Sequence, residues 1–197
     1  MRKFIIGIGG ASGAIYGVRL LEALREAADV ETHLVMSRTA QINLRVETDW
    51  KPEDVRALAN VSYKISDVGA AVSSGSFKTD GMVIAACSMK TLSGIVHSYA
   101  DDLLVRAADV CLKDRRPLIL MPREAPLHMG HCKLLYEASQ LGAIIAPPLP
   151  AMYNRPQTVD DIVNHTVGRV LDLMGVDTAL VKRWAGVSDA ADPDDDA

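Results

Sequence analysis

Short apolar runs recur along this chain, each followed by a longer stretch with an apolar residue at every third or fourth position. A short continuous run suits a strand buried on both faces, and the wider spacing suits a helix lying on a sheet. The first run predicts a strand over 3–8, and the spacing of Val18, Leu21 and Leu24 predicts a helix over 13–28. A second strand is expected over 31–36, then a helix over 38–47, then a short helix opening at Pro52. Residues 73–81 read as a loop, 82–86 as a strand and 87–91 as a turn. Asp101 or Asp102 caps a helix reaching about Leu112, and a strand follows over 117–121. A helix over roughly 131–141 stops at Gly142, and a strand over 143–146 meets the turn Pro147-Pro-Leu-Pro150. Thr158 caps the last long helix, about 159–174, which Gly175 closes.

Strands alternating with helices predict a single α/β domain. Its core is a doubly wound, mostly parallel sheet in a three-layer, Rossmann-like (flavodoxin-like) sandwich. The domain is expected over 1–186, with 187–197 an acidic, disordered tail. Ligands of such sheets bind beyond the carboxyl ends of the strands, which singles out loops 9–13, 37–39, 87–91, 122–126 and 147–155.

Composition narrows the class. A length of 197 residues fits one domain. The net charge of −4 argues against nucleic-acid binding, which needs a basic face. Cys87, Cys111 and Cys132 are odd in number and lack CxxC spacing, so a reducing cytoplasm fits better than a disulfide framework. The opening apolar run is too short for a signal peptide or a membrane span. Yet 49% of the residues are hydrophobic, and this predicts a homo-oligomer that buries the excess.

Chemistry enters at the loops. Gly7-Ile-Gly-Gly-Ala-Ser-Gly13 joins a strand to a helix, the setting of a phosphate cradle; a tight packing turn is the alternative. A dinucleotide fingerprint expects an acidic residue about 20 positions on, but the second strand ends in Ser37. Neither GxxxxGK[ST] nor GxSxG is present, so FMN fits better than a dinucleotide or ATP. Ser88-Met-Lys-Thr91 offers a second polar rim, or ordinary helix capping. Arg106, Lys113, Arg115, Arg116 and Arg123 form a basic set, of which Arg115 and Arg116 suit a helix C-terminus. Arg123-Glu124 stands between two prolines at the ligand edge, where the arginine needs an anion, either Glu124 or a phosphate. Arg169 shares the side of an apolar stripe with Ile162, so it snorkels to water or meets an anion. Tyr153 adds a donor hydroxyl at the same rim. His128-x-x-His131-Cys132 has metal-ligand spacing but no recognisable further ligand, and a polar loop opening a helix accounts for it. Trp50 anchors a subunit contact or packs locally.

These residues together resemble the UbiX family of flavin prenyltransferases over nearly the whole chain. The resemblance rests on the order and spacing of Gly9-Gly-Ala-Ser-Gly-Ala-Ile-Tyr-Gly17, His33-Leu-Val-Met-Ser37, Glu47-Thr-Asp49, Ser73-Ser-Gly-Ser-Phe77, Cys87-Ser-Met-Lys-Thr-Leu92, Arg106-Ala-Ala-Asp109, Arg116-Pro117, Pro122-Arg-Glu-Ala-Pro126, Pro147-Pro148 with Tyr153, and Arg183-Trp184. It implies an enzyme that joins the dimethylallyl group of dimethylallyl monophosphate to N5 and then C6 of reduced FMN, releasing phosphate without a metal. The prenylated FMN would serve a UbiD-type decarboxylase, typically in ubiquinone synthesis, and a homo-dodecamer is implied.

Carried over position by position, Gly10, Ala11, Ser12, Ser37, Ser88, Thr91 and Arg123 match flavin positions, with Met89, Lys90 and Arg106 expected beside them. Tyr153 and Arg169 match the prenyl-phosphate positions, Lys113, Arg123 and Glu124 are expected around that phosphate, and Trp184 is expected beside the prenyl group. Ser12, Glu47 and Glu124 match the catalytic polar groups, with Lys113 as a catalytic cation. Two other readings share the flavin: an FMN-dependent cysteine decarboxylase, whose substrate loop Pro150-Ala-Met-Tyr-Asn154 faintly resembles, and a non-catalytic flavin carrier subunit. FMN has one phosphate, so the second cationic set of Lys113, Arg123 and Arg169 with Glu124 favours prenyl transfer over both.

Overall fold

Successive residues of the central strands bury into opposite layers, which is why those strands read as unbroken apolar runs. The computed structural model describes residues 1–186 other than 182 and 185; the expected acidic tail, 187–197, lies outside the described residues. Among the described residues six strands form one sheet: β1 (Arg2–Ile8), β2 (Val30–Met36), β3 (Val61–Tyr63), β4 (Gly81–Cys87), β5 (Leu118–Pro122) and β6 (Ile144–Ile145). Their order is β3-β2-β1-β4-β5-β6, and every pairing is parallel. The helices are α1 (Ala14–Glu26), α2 (Arg38–Glu47), α3 (Pro52–Leu58), α4 (Met89–Val96), α5 (Leu103–Lys113), α6 (Met129–Gln140) and α7 (Val159–Leu173).

Phe4, Ile6 and Ile8 of β1 join Leu34, Val83 and Ile119 in one core, under α1, α2, α3 and α7. Ile5, Val35, Met82, Ile84 and Leu120 face the other core, under α4, α5 and α6. The expected doubly wound, three-layer sandwich is therefore present. The strand order reverses between β1 and β4, which opens a crevice at their carboxyl ends.

Several expected boundaries hold. Pro52 opens α3, Thr158 caps α7 in a capping box with Asp161, and of the two aspartates it is Asp102 that caps α5. Gly142 and Gly175 follow helix ends with φ of +101° and +67°. Two elements differ from the expectation. Residues 89–91 are the first turn of α4 rather than a turn before it, because Ser88 already caps the helix. The three-residue edge strand β3 has only half-buried or exposed side chains, so no apolar run announced it. It pairs with β2, and the Tyr63 hydroxyl lies 3.0 Å from His33 Nδ1.

Candidate active site

The loop Gly9–Gly13 crosses the carboxyl edge between β1 and α1. A Cβ on Gly9 would lie 2.4 Å from the carbonyl oxygen of Ala86, so the loop lies against β4 only with glycine there. Gly13 has φ +106°, in the left-handed region that glycine tolerates. From α2, Asn43 Nδ2 donates to the carbonyls of Gly10 at 3.1 Å and Ala11 at 3.0 Å, holding the loop from outside. Ala11 and Ser12 stand half-buried on this clamped backbone.

Glu47 occupies the position where the glycine loop promised a phosphate. Its carboxylate accepts from the backbone N–H of Gly13 at 2.8 Å and of Ala14 at 3.2 Å. These are the first amides of α1, the donors an anion would use. A phosphate placed there would meet a carboxylate, so the cradle reading of α1 gives way to an internal cap. The same contact gives Glu47 a fixed place beside Ser12. Replacing Glu47 by Ala is expected to cost about 1–2 kcal/mol of stability through the lost charge-assisted cap. Thermal denaturation of the flavin-free protein checks this, and an unchanged Tm would contradict it.

The open helix N-termini lie one crevice further on. A cleft of 870 Å³ is lined by Gly10, Ser37, Thr39, Ser88, Lys90 and Thr91, with Tyr99 and Asp102 on its outer wall. The volume falls in the range of about 300–1,000 Å³ usual for small-molecule sites. Ser37 caps α2 by accepting from Ala40 N at 3.0 Å. Ser88 caps α4 by accepting from Thr91 N at 3.2 Å, and its hydroxyl lies 3.1 Å from that of Thr91. The amides of Met89 and Lys90, in the first turn of α4, have no partner within the helix. Two helix dipoles and the hydroxyls of Ser37, Ser88 and Thr91 thus face one cavity, an arrangement that accepts a phosphate. Neighbouring Cys87 is fully buried, and burial pushes its thiol up to about 12, which removes it as a thiolate nucleophile.

A second polar group forms beyond β6. Tyr153, His165 and Arg169 line a cavity of 250 Å³ with Pro147 and Leu149 of the proline-rich segment. The Tyr153 ring meets Trp184 edge-on at 5.5 Å between centroids. Tyr153 and Arg169, expected at the prenyl phosphate, and Trp184, expected beside the prenyl group, are thereby brought together. Arg169 is exposed and donates to Asp172 at 2.7 Å, which answers part of its charge. Arg123 and Glu124 follow the end of β5, both exposed. Glu124 does not answer Arg123; one of its oxygens accepts from its neighbour, Ala125 N, at 3.1 Å.

Arg106 and Lys113, like Arg123 and Glu124, line neither cavity within the protomer. Arg106 donates from Nε to the Ser73 carbonyl at 3.1 Å and from Nη1 to Asp109 at 2.8 Å, a brace on the segment before β4. Lys113 is the last residue of α5, and its ammonium donates to Asp114 at 2.7 Å. α5 ends near the amino edge of β5, whereas Arg123 follows the carboxyl edge. The five residues of β5 alone span about 16 Å between those edges. Trp50 packs against the α1 side core, and His128 caps α6 by accepting from Gly130 N at 3.0 Å. Sequence reasoning missed Asn43 and His165: each is a single polar side chain on a helix, and only its contacts across elements give it meaning.

A family model described as Flavoprotein matches residues 1–171. The flavin prenyltransferase UbiX of Escherichia coli (strain K12) is 57% identical over 188 residues, covering 94% of this chain and 100% of that protein. The structure of AnUbiX (PadA1) in complex with FMN and dimethylallyl pyrophosphate matches with TM-score 0.93 and 46% identity, covering 95% of this chain and 99% of that one. A dodecameric FMN-dependent UbiX-like decarboxylase from Escherichia coli O157:H7 matches with TM-score 0.92 and 52% identity, over 93% and 100% of the two chains. The FMN-dependent cysteine decarboxylase TvaF, at 18% identity and TM-score 0.62 over 75% and 91% of the two chains, shares the fold alone.

Proposed function

The chain belongs to the UbiX family of flavin prenyltransferases, and on that premise we propose that it transfers a dimethylallyl group from dimethylallyl monophosphate to N5 and C6 of reduced FMN. The observation that carries this reading is the presence of two separate anion-accepting groups on one edge of the sheet. The cleft between α2 and α4 suits the phosphate of FMN. The group of Tyr153, Arg169 and Trp184 suits a second phosphate with a short apolar tail. A flavin carrier needs only the first.

FMN fits the residues present. Gly10 and Ala11 offer backbone at close approach, Ser37, Ser88 and Thr91 offer hydroxyls, and the first turn of α4 offers the amides of Met89 and Lys90. Reduced FMN supplies the nucleophilic N5 and C6 when bound. The chain's own residues handle the leaving group. The bond between the allylic carbon and oxygen breaks, and the phosphate departs with its electron pair. Arg123 and Arg169 absorb the growing negative charge in place of a metal. Glu124 gives the leaving oxygen a proton. Trp184 offers a π face to positive charge on the allyl group, worth about 0.5–2 kcal/mol where water is excluded. Ser12 on the glycine loop, and Glu47 reaching that loop from the end of α2, move protons at the flavin edge.

Assembly completes the site. Ile42 and Val46 on α2 and Met129 and Tyr136 on α6 are large and exposed on the protomer, as a homo-oligomer requires. Lys113 sits at the far edge from Arg123, so it serves a prenyl phosphate only from a neighbouring protomer. A dodecamer, the assembly of the similar decarboxylase structure, provides such neighbours. The product goes to a UbiD-type decarboxylase, with ubiquinone synthesis the natural setting. The three free cysteines fit a reducing cytoplasm, and among the described residues no helix is long and apolar enough to cross a membrane.

Anaerobic incubation with reduced FMN and dimethylallyl monophosphate is expected to give a flavin heavier by one prenyl unit on mass spectrometry. Folded protein that yields no such mass would overturn the reading.

A further inference from the structure

We propose that His165 is a positioning residue for the prenyl donor: it fixes the hydroxyl of Tyr153 so that the phenolic proton is donated to the donor's phosphate. The inference rests on the prenyl-transfer reading above.

His165 lies on α7 one turn before Arg169, so the two side chains share a face of the helix. That face packs under residues 147–156, a segment without regular structure that carries Tyr153. The imidazole is 6% exposed, whereas Tyr153 is 51% exposed. His165 Nε2 lies 3.1 Å from the Tyr153 hydroxyl oxygen, and the rings meet at 81° with centroids 5.6 Å apart. Both line the cavity that Arg169 also lines. On the other side of the ring, Nδ1 is buried and has no partner among the described residues.

That asymmetry decides the tautomer. A neutral imidazole carries one N–H. On Nδ1 it would be a buried donor without an acceptor, the rarer and costlier kind of orphan. On Nε2 it meets the Tyr153 oxygen and leaves only a lone pair buried at Nδ1. The structure therefore favours Nε2–H donating to Tyr153. A phenol that accepts this bond has its own proton free for another acceptor. In the reverse arrangement Tyr153 would give its proton to His165 and offer an anion only lone pairs. The buried histidine thus sets the polarity of an exposed tyrosine and ties its segment to α7. Arg169 supplies charge to the phosphate from the same helix face, and Tyr153 supplies direction.

The test measures binding and turnover separately, in protein loaded with FMN. Equilibrium binding of dimethylallyl monophosphate is read by calorimetry, and KM and kcat are read anaerobically with reduced FMN. His165→Phe is expected to weaken donor binding and raise KM about tenfold, the loss of one hydrogen bond to a charged group, with kcat changed less. Tyr153→Phe is expected to do the same, and the double variant to be no worse than Tyr153→Phe alone, because the histidine acts through the tyrosine. His165→Gln, whose amide N–H reaches the place of Nε2–H, is expected to stay near wild type. The Gln variant decides the matter even if the Phe variant does not fold. A KM unchanged in His165→Phe, a loss that adds in full to that of Tyr153→Phe, or a His165→Gln enzyme as weak as Tyr153→Phe would each overturn the proposal. Wild-type protein that binds the donor but forms no prenylated flavin would instead fail the functional reading and leave the binding comparison to judge His165. Wild-type protein that does not bind the donor overturns both.

Discussion

Glu124→Gln protein is expected to bind FMN as the wild type does and to transfer the prenyl group about a hundredfold more slowly or worse, within the range of about 10²–10⁴ for a lost general acid. Glutamine keeps the size and one carbonyl oxygen of the side chain, so the bond from Ala125 N that holds Glu124 in place is retained. What it lacks is a transferable proton. A phosphate monoester leaves poorly as a fully charged anion, and Arg123 beside it lowers that charge without supplying a proton. The defect should therefore lie in kcat, with flavin affinity spared because Glu124 lies outside the cleft between α2 and α4. Flavin fluorescence gives the binding constant, and the single-turnover appearance of the heavier flavin gives the rate. An unchanged rate would remove Glu124 from the acid role.

Much of this site was legible along the chain because parallel α/β sheets gather their carboxyl-end loops on one edge. Gly9, Ser37, Ser88 and Tyr153 could each be placed there by counting strands, and each is there. What a linear reading lacks is the partner of each group. The glycine loop looked like a phosphate cradle because nothing near it in sequence occupies the amides of Gly13 and Ala14. The occupant is Glu47, more than thirty residues away at the end of α2. The helix start with amides left unpaired is that of α4, where the linear order of Ser88-Met-Lys-Thr91 fits a polar rim or a helix cap equally well. β3 escaped because an exposed edge strand of three residues carries no apolar period. His165 escaped because a single histidine on an apolar helix face is ordinary until Tyr153 is found against it.

Lys113 shows the same limit at the level of assembly, and it leads to the second large effect. Lys113→Ala and Arg123→Ala proteins are each expected to lose most of their prenyl transfer, since each removes a cation from a metal-free phosphate site. Mixed as separate oligomers, they should stay inactive. Dissociated and reassembled together in equal amounts, they are expected to recover about a quarter of the wild-type sites, if each site takes Arg123 from one protomer and Lys113 from a neighbour. The arithmetic follows from random pairing: half of the protomers carry an intact Arg123, and half of their neighbours carry an intact Lys113. Were both cations drawn from one protomer, every site would keep one defect and reassembly would restore nothing. The geometry points to the first outcome, because β5 and its flanking turns hold the two residues at opposite edges of one sheet. The same mixing with Tyr153→Phe and Arg169→Ala, whose side chains share one cavity in one protomer, should give no such recovery. That control separates a site shared between protomers from a general repair of the oligomer.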